Sequence, residues 1–503
     1  MALETNVIYY GDNLEILRKH IPDESIDLIY LDPPWKSDQP YNIIFKEPTG
    51  KPSQAQIQAF DDIWHWTAET QRAYEEIIES APSNDVVEMM RAFWNFLGRN
   101  DVMAYLTMMC IRLIELHRVL KETGSIYYHC DPTLSHYIKV MMDAVFGKEH
   151  FRNEIIWRIG WVSGFKTQKK GWIRNHDVIL YYTKSDNFTF NKQYIPYPED
   201  YVRRGGTKPS GPGIPLEDTW NCSEKDKLHS IMIMSFSKEK VGYPTQKPVA
   251  LLERIIKASS NEGDVVLDPF CGCGTTLIAA ESLKRKWIGM DITYLAVDVM
   301  KYRLREAFPN IKFKVIGEPV ALSDAKRLAS EDTRQFRIWA VSKIGGRPAE
   351  KESWDRGIDG FYYFKDGEEV KKAVIQVKSG KIKPSDMRDF CHVVERESVE
   401  MGFFITLRKP SKEMVKEALS MGFYTDALGN KYQKVQILTI EDILSGKKPD
   451  TPQKISPYEV SVAKTRGNKK NKTKRRKKDE EKEGGREEVP TILIQKPLGK
   501  FSK

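Results

Sequence analysis

Two short apolar runs open the chain, residues 7–10 and 26–31, each closed by turn residues or acids. That is the pattern of strands buried on both faces in a parallel sheet. Asp32 follows the second run and so stands at a strand's carboxyl end, where open α/β sheets bind their ligands. Val102, Leu106, Met109, Leu113, Leu116 and Leu120 recur at spacings of four and three, predicting a helix with one apolar face. Gly124 is expected to end that helix, and residues 125–129 to form the next strand. The alternation resumes with a helix at 248–259, a strand at 265–267, a helix at 275–282 and a strand at 287–290. Between the two halves, residues 151–243 interleave Trp157, Trp161, Trp172 and Trp220 with Lys, Arg, Gly and Pro. This stretch predicts a small irregular module rather than more sheet. A last unit, residues 330–446, carries strand patterns near 361–364, 373–377 and 402–406. The fold class is therefore α/β, a doubly wound sheet interrupted by an insert and followed by a smaller α/β domain.

A length of 503 residues with 40% apolar side chains agrees with two or three cores. The expected division is 1–150, 151–243, 244–318, 330–446 and a tail at 447–503. The tail is rich in Pro, Lys and Glu and is expected to be disordered. The formal net charge of +9 comes largely from residues 464–478, which hold ten Lys or Arg and no acid. The remainder is close to neutral, so overall charge is weak evidence for nucleic-acid binding and any basic groove must be a local feature. The six cysteines lack the second pair that a zinc site needs, which favours free thiols in a reducing compartment. No signal-peptide pattern and no apolar run of about 18 residues is present, so a soluble, cytoplasmic protein with no membrane partner is expected.

Residues 268–276, Asp-Pro-Phe-Cys-Gly-Cys-Gly-Thr-Thr, put an acid at a strand end, Gly272 and Gly274 in a tight turn, and Thr275 at a helix start. Such a turn allows close backbone approach to a ligand, and the helix N-terminus favours a carboxylate or phosphate. Asp291, about twenty residues on at the next strand end, can accept both hydroxyls of a ribose. Alone, this suits any nucleoside ligand or a structural turn. Asp32-Pro33-Pro34-Trp35 narrows the choice. An aryl amine is a poor nucleophile because its lone pair is delocalised, and it needs acceptors that hold its protons while the nitrogen pyramidalises. The Asp32 carboxylate and the Pro33 carbonyl can do this on a backbone stiffened by Pro33 and Pro34, and Trp35 can stack on an extruded base. A proline turn with a core tryptophan is the plainer alternative.

With these segments, residues 5–315 resemble the DNA amino-methyltransferases of the β arrangement, in which the catalytic motif comes first, the target-recognition region next and the cofactor loop last. The resemblance also rests on Gly11-Asp12, on Tyr128-His129-Cys130-Asp131, on Phe146-Gly147, on residues 153–157 and on residues 243–248, Tyr-Pro-Thr-Gln-Lys-Pro. It implies a Rossmann-like methyltransferase sheet and S-adenosylmethionine as cofactor, with Asp268, Phe270, Gly272, Gly274 and Thr275 around it. Thr245 and Lys247 would lie near its methionine end, Asp291 at the ribose and Asp12 at the adenine amine. Asp at the first catalytic position implies methylation of adenine N6 in double-stranded DNA, with cytosine N4 as the alternative and RNA or protein methylation as a third. The insert occupies the target-recognition position, where Arg158, Lys166, Lys169, Lys170, Arg174, Arg203 and Arg204 are candidates for phosphate or guanine contacts.

A second constellation lies in the last unit: Asp355-Arg-Gly-Ile-Asp359-Gly, then Gln376-Val377-Lys378 on a strand pattern. A carboxylate and a strand-borne polar group can hold Mg²⁺ while a lysine orients water toward a phosphodiester. A charged hairpin edge has the same pattern. With the strand at 402–406 and the helix ending near Ala418, residues 335–425 resemble the Mrr-like branch of the PD-(D/E)xK nucleases. Asp359, Gln376 and Lys378 carry that resemblance, with Asp359 and Gln376 as the implied metal ligands; Asp355 and Glu395 are further candidates. The combined expectation is a restriction-modification protein in one chain, or a methyltransferase with a non-cleaving DNA-binding module.

Overall fold

A computed structural model of the protein describes residues 3–34, 42–43, 57–58, 65–158, 170–197, 202, 206–207, 210–220, 243, 246–349 and 357–454. The larger sheet is built from β1 (Val7–Tyr10), β2 (Ile26–Leu31), β3 (Leu120–Cys130), β4 (Phe151–Arg158), β5 (His176–Thr183), β6 (Thr219–Trp220), β7 (Val265–Asp268), β8 (Lys286–Asp291) and β9 (Lys314–Ile316). Their spatial order is β6-β4-β5-β3-β2-β7-β8-β1-β9. The central run β3-β2-β7-β8-β1-β9 is parallel, and β5 is antiparallel to both β3 and β4.

Helices cover both faces, which is why these strands read as continuous apolar runs rather than alternating ones. Ile8, Leu28 and Val266 point to one cluster, with α3 (Val249–Ser259), α4 (Thr275–Ser282) and α5 (Tyr294–Ala307). Val7, Ile29, Leu267 and Ile288 point to the other, with α1 (Asn13–His20) and α2 (Asp101–Val119). The Asn100 side chain caps α2 by accepting the Met103 N–H at 2.8 Å.

The structure departs from the sequence pattern in four places. Helix α2 is buried on most of its circumference, because helices Ala68–Ser80 and Asn84–Leu97 pack on the side away from the sheet. It ends at Val119, and Gly124 lies inside β3 instead of terminating the helix. There the pairing with β2 slips register, and a Cβ at Gly124 would stand 2.5 Å from Leu120 Cδ1. The insert is not a separate irregular module: β4, β5 and β6 extend the main sheet, held by buried Ile155, Trp157, Val178 and Trp220. The tail expected from residue 447 begins later, because Gln453–Lys454 pairs antiparallel with a strand of the second sheet.

That second sheet comprises β10 (Arg347–Pro348), β11 (Gly360–Asp366), β12 (Glu369–Lys378), β13 (Met401–Thr406) and β14 (Val435–Thr439), in that spatial order. The join β11–β12 is antiparallel, whereas β12–β13–β14 is parallel. Helix α6 (Thr333–Lys343) packs against α5 on one side and β12 on the other. Trp339, fully buried, meets Tyr294 of α5 edge-on at 6.5 Å between ring centroids. Helices α7 (Pro384–Arg396) and α8 (Lys412–Ser420) cover the sheet's other face. Among the described residues no helix is long and apolar enough to cross a membrane, and Cys110, Cys130, Cys271, Cys273 and Cys391 are free and buried.

Candidate functional sites

Strands β2 and β7 are parallel neighbours, with Leu28 opposite Val266 and Ile29 opposite Leu267. Asp32 and Asp268 therefore leave the sheet from the same carboxyl edge, beside the switch point between its two halves. Pro33 is buried and Pro34 partly so. The side chain of Lys247 reaches Asp32 Oδ2 across a sequence separation of 215 residues. Trp35 and Thr245 lie outside the described residues.

The glycine-rich turn has the geometry its residues predict. Gly272 and Gly274 have φ of 52° and 77°, left-handed values that favour glycine. A Cβ on Gly274 would meet Met300 Cγ at 2.7 Å. Thr275 starts α4, and its hydroxyl accepts from Arg303 Nη1 at 3.0 Å; the same nitrogen donates to the Cys273 carbonyl at 2.7 Å. Asp268 accepts from Thr276 Oγ1 at 2.5 Å and from Phe270 N at 3.0 Å. Burial nevertheless pushes its carboxyl up to about 7. Asp291 accepts from Gly272 N at 2.9 Å and from the Thr293 backbone N–H and hydroxyl at 2.8 Å each, and burial raises it to about 6. The two acids are thus held beside the turn, their ionisation opposed by burial.

Asp12 caps α1 through Leu14 N at 2.7 Å and pairs with the buried Arg112 at 2.7 Å. Arg112 also donates to Asn13 Oδ1 at 2.6 Å, while Asn13 Nδ2 donates to the Pro269 carbonyl at 2.7 Å. This network ties the first helix to the glycine-rich turn. Sequence reading passed over Arg112 because it sits within an apolar helical pattern.

Behind Asp32 lies a polar cluster that the sequence did not single out by role. His129, 2% exposed, has Nδ1 2.9 Å from the Tyr30 hydroxyl and 3.9 Å from Asp32 Oδ1, with Nε2 3.2 Å from Asp177 Oδ2. Arg174 donates to Asp177 Oδ1 at 3.1 Å and also pairs with Asp131. Burial works against ionisation of Asp177, yet the hydrogen bond with His129 and the nearby cations hold it below the usual carboxylate range. Arg174 is therefore engaged by acids rather than presented to a phosphate. Of the other basic candidates, Arg158 and Lys170 are exposed, whereas Lys166, Lys169, Arg203 and Arg204 lie outside the described residues.

In the second domain Asp359, Gln376 and Lys378 line one cavity of about 430 Å³, with Arg337, Asp386, Asp389, His392 and Arg396. Asp359 Oδ2 accepts from Val377 N at 2.7 Å, and Oδ1 lies 3.4 Å from Arg337 Nη1. Burial raises the Asp359 carboxyl against these contacts. Gln376 Nε2 donates to the Gly357 carbonyl at 2.9 Å, leaving a buried Oε1 with no hydrogen-bond partner among the described residues. Lys378 Nζ is 3.5 Å from Asp386. Among the described residues no group of three or more His, Cys, Asp or Glu is arranged to hold a metal. Asp355 lies outside the described residues, and Glu395, on α7, does not line the cavity.

Residues 26–301 match a family described as DNA methylase, of the N6/N4 type, and residues 333–444 match one described as NACHT-associated inactive Restriction Endonuclease 1. The chain is 36% identical over 205 residues to the type II methyltransferase M.HpaI of Haemophilus parainfluenzae, covering 39% of this chain and 58% of that one. It is 29% identical over 345 residues to the DNA adenine methyltransferase YhdJ of Escherichia coli (strain K12), covering 65% of this chain and 94% of that one. Among solved structures, the M1.HpyAVI–SAM complex aligns with 59% of this chain and 98% of its own at 20% identity and a TM-score of 0.34.

Proposed function

Because the chain belongs to the N6/N4 DNA methylase family, we propose that it transfers a methyl group from S-adenosylmethionine to adenine N6 of double-stranded DNA at a specific sequence. The observation that carries this reading is the pairing of β2 with β7, which brings the Asp32-Pro33-Pro34 acceptors beside the glycine turn at Asp268.

The residues present fit the cofactor. Gly272 and Gly274 take the left-handed φ values that let the backbone turn tightly, and the N-terminus of α4 faces the turn. Asp268 is a buried acceptor and Asp291 a partly buried one, and Lys247 supplies a cation suited to a carboxylate. When bound, S-adenosylmethionine supplies an electrophilic methyl group on sulfonium. Asp32 and the Pro33 carbonyl hold the amine protons, so that the nitrogen lone pair localises toward the methyl carbon. Asp32 and the likeness to YhdJ support adenine over cytosine N4. Incubating the protein with tritium-labelled cofactor and unmethylated DNA, then digesting to nucleosides, is expected to give labelled N6-methyladenine. Label in cytosine alone would move the base assignment, and no label in DNA would remove the function.

For the second domain we infer a nuclease-derived module acting on the same DNA. Asp359 and the unpartnered Gln376 Oε1 are the groups that would hold Mg²⁺, whose chemistry is to acidify a water and polarise the phosphodiester; Lys378 would orient that water. The Arg337 guanidinium against Asp359 favours a second reading, a DNA-binding module that does not cleave. Mg²⁺-dependent nicking by the native protein that disappears in Asp359→Ala supports cleavage; absence of nicking in both supports the second reading.

A further inference from the structure

Methyl transfer leaves a proton to be removed. As the amine nitrogen bonds to the methyl carbon, the carbon–sulfur bond breaks with its electron pair left on sulfur. The nitrogen then carries positive charge until one of its protons departs. The obvious acceptor is Asp32, but its Oδ2 is already held by the Lys247 side chain. Its other oxygen, Oδ1, faces the ring of His129 at 3.9 Å.

We propose that His129, through Asp32, is the proton acceptor of the reaction, held in one tautomer and stabilised as an imidazolium by Asp177. The inference rests on the methyl-transfer reading of Asp32 and assigns the proton's destination within it. Nε2 of His129 directs its N–H at Asp177 Oδ2, 3.2 Å away, which leaves Nδ1 to accept the Tyr30 O–H at 2.9 Å. Nδ1 is therefore the basic nitrogen, and it lies on the Asp32 side of the ring. After the proton passes from the amine to Asp32 Oδ1, a small closing motion brings it to Nδ1. The Tyr30 hydroxyl can then turn about its C–O bond and accept from the new N–H. No charge is stranded: the imidazolium lies between the carboxylates of Asp32 and Asp177. The proton reaches solvent after product release.

The surroundings suit this assignment. Tyr30 and Asp32 approach from β2 and its end, Asp177 and Arg174 from β5 and the turn before it, and Asp131 and Cys130 from the end of His129's own strand. Lys247 comes from the segment just before α3, and Asp268 from β7. Trp157 of β4 packs edge-on against the imidazole at 5.5 Å, closing that side to water. Arg174 fixes Asp177 through its second oxygen at 3.1 Å, so the carboxylate cannot swing away from the ring.

Nitrogen NMR of the unliganded full chain with ¹⁵N-labelled histidine tests the ground state. A neutral Nε2–H ring for His129 at pH 8 is expected, its signal identified by loss in His129→Gln; an Nδ1–H tautomer, or a ring charged at every pH from 6 to 9, overturns the proposal. Single-turnover methyl transfer then tests the role. In the native protein the rate is expected to rise with pH along one ionisation. His129→Gln should flatten that rise and slow transfer about 100-fold while binding the cofactor as the native chain does. Asp177→Asn, which keeps the histidine, should shift the rise to lower pH, because the imidazolium loses its counter-charge. His129→Gln with the native rate and profile, and with intact cofactor binding, overturns the proposal alone. A native chain that labels no DNA overturns the parent reading and this one with it.

Discussion

The side chain of Lys247 is hydrogen-bonded to Asp32 Oδ2, joining the segment ahead of the glycine-rich turn to the end of β2. Only a doubly wound sheet brings these two segments together, because they belong to opposite halves of the chain. Lys247 is 12% exposed and Asp32 25%, so solvent screens the pair only in part. Replacing Lys247 by Met removes the group that orients the carboxylate, and misplacing such an acceptor by about 1 Å is worth about 100-fold in rate. Lys247→Met should slow single-turnover methylation by about that factor and weaken cofactor binding measured by calorimetry. An unchanged rate would show that Asp32 is oriented without it.

The carboxyls of Asp268 and Asp291 titrate at about 7 and about 6 in the fold, against 3.8 when unperturbed. Because both are raised, the folded state holds protons that the unfolded chain releases. Their contribution to stability is complete below pH 3.8 and is lost as pH rises to about 7. For Asp268 alone this corresponds to about 4 kcal/mol. In the unliganded protein, urea denaturation from pH 4.5 to 8 should show a component of stability that falls with pH. Asp268→Asn should remove most of it. Cofactor affinity should move the opposite way near pH 6, because ribose hydroxyls donate to an ionised Asp291. A cofactor dissociation constant flat from pH 5 to 8 would count against Asp291 as the ribose acceptor.

The strands flanking both acids were legible because a buried parallel strand leaves an uninterrupted apolar run. Residues 7–10, 26–31 and 275–282 fall where the pattern puts them. The insert was misread for the opposite reason. Trp157 and Trp220 are core residues, but they are embedded among Arg, Lys and Gly, so their strands looked like a separate basic module. The acids of the first site could be named because each stands at a strand's carboxyl end, and Asp359 of the second because it precedes Gln376-Val377-Lys378 at a short spacing. Arg112, Arg337 and the partners of His129 could not, since each depends on a residue distant in sequence, and pairing across the fold leaves no local pattern.

Gly274 combines a φ of 77° with a Met300 Cγ that stands 2.7 Å from where a Cβ would be. Alanine there meets both a strained backbone, of order 1 kcal/mol or more, and an overlap that only a shift of Met300 relieves. Gly274→Ala should lower stability by about 2 kcal/mol in urea denaturation and weaken cofactor binding by about tenfold. Gly263→Ala, also at positive φ but with nothing within 4 Å, bears only the backbone cost. Equal losses in the two variants would mean that crowding against α5 contributes nothing at the turn.

Arg337 reaches Asp359 from α6, the helix that also contacts the first domain, where Gln335 accepts the Tyr294 backbone N–H at 3.2 Å. The guanidinium is one of the charges that keep the buried Asp359 carboxyl from rising further. It also sits on Oδ1, while Oδ2 accepts the Val377 N–H, so both oxygens are engaged. A cation and Arg337 therefore compete for one carboxylate. Arg337→Met should leave Asp359 without its partner, destabilising the domain by about 1–3 kcal/mol in metal-free buffer. Added Mg²⁺ should recover part of that loss in Arg337→Met while leaving the native melting temperature nearly unchanged. If Mg²⁺ shifts neither protein, the Asp359 and Gln376 pair does not bind the metal, and cleavage by this domain loses its chemical basis.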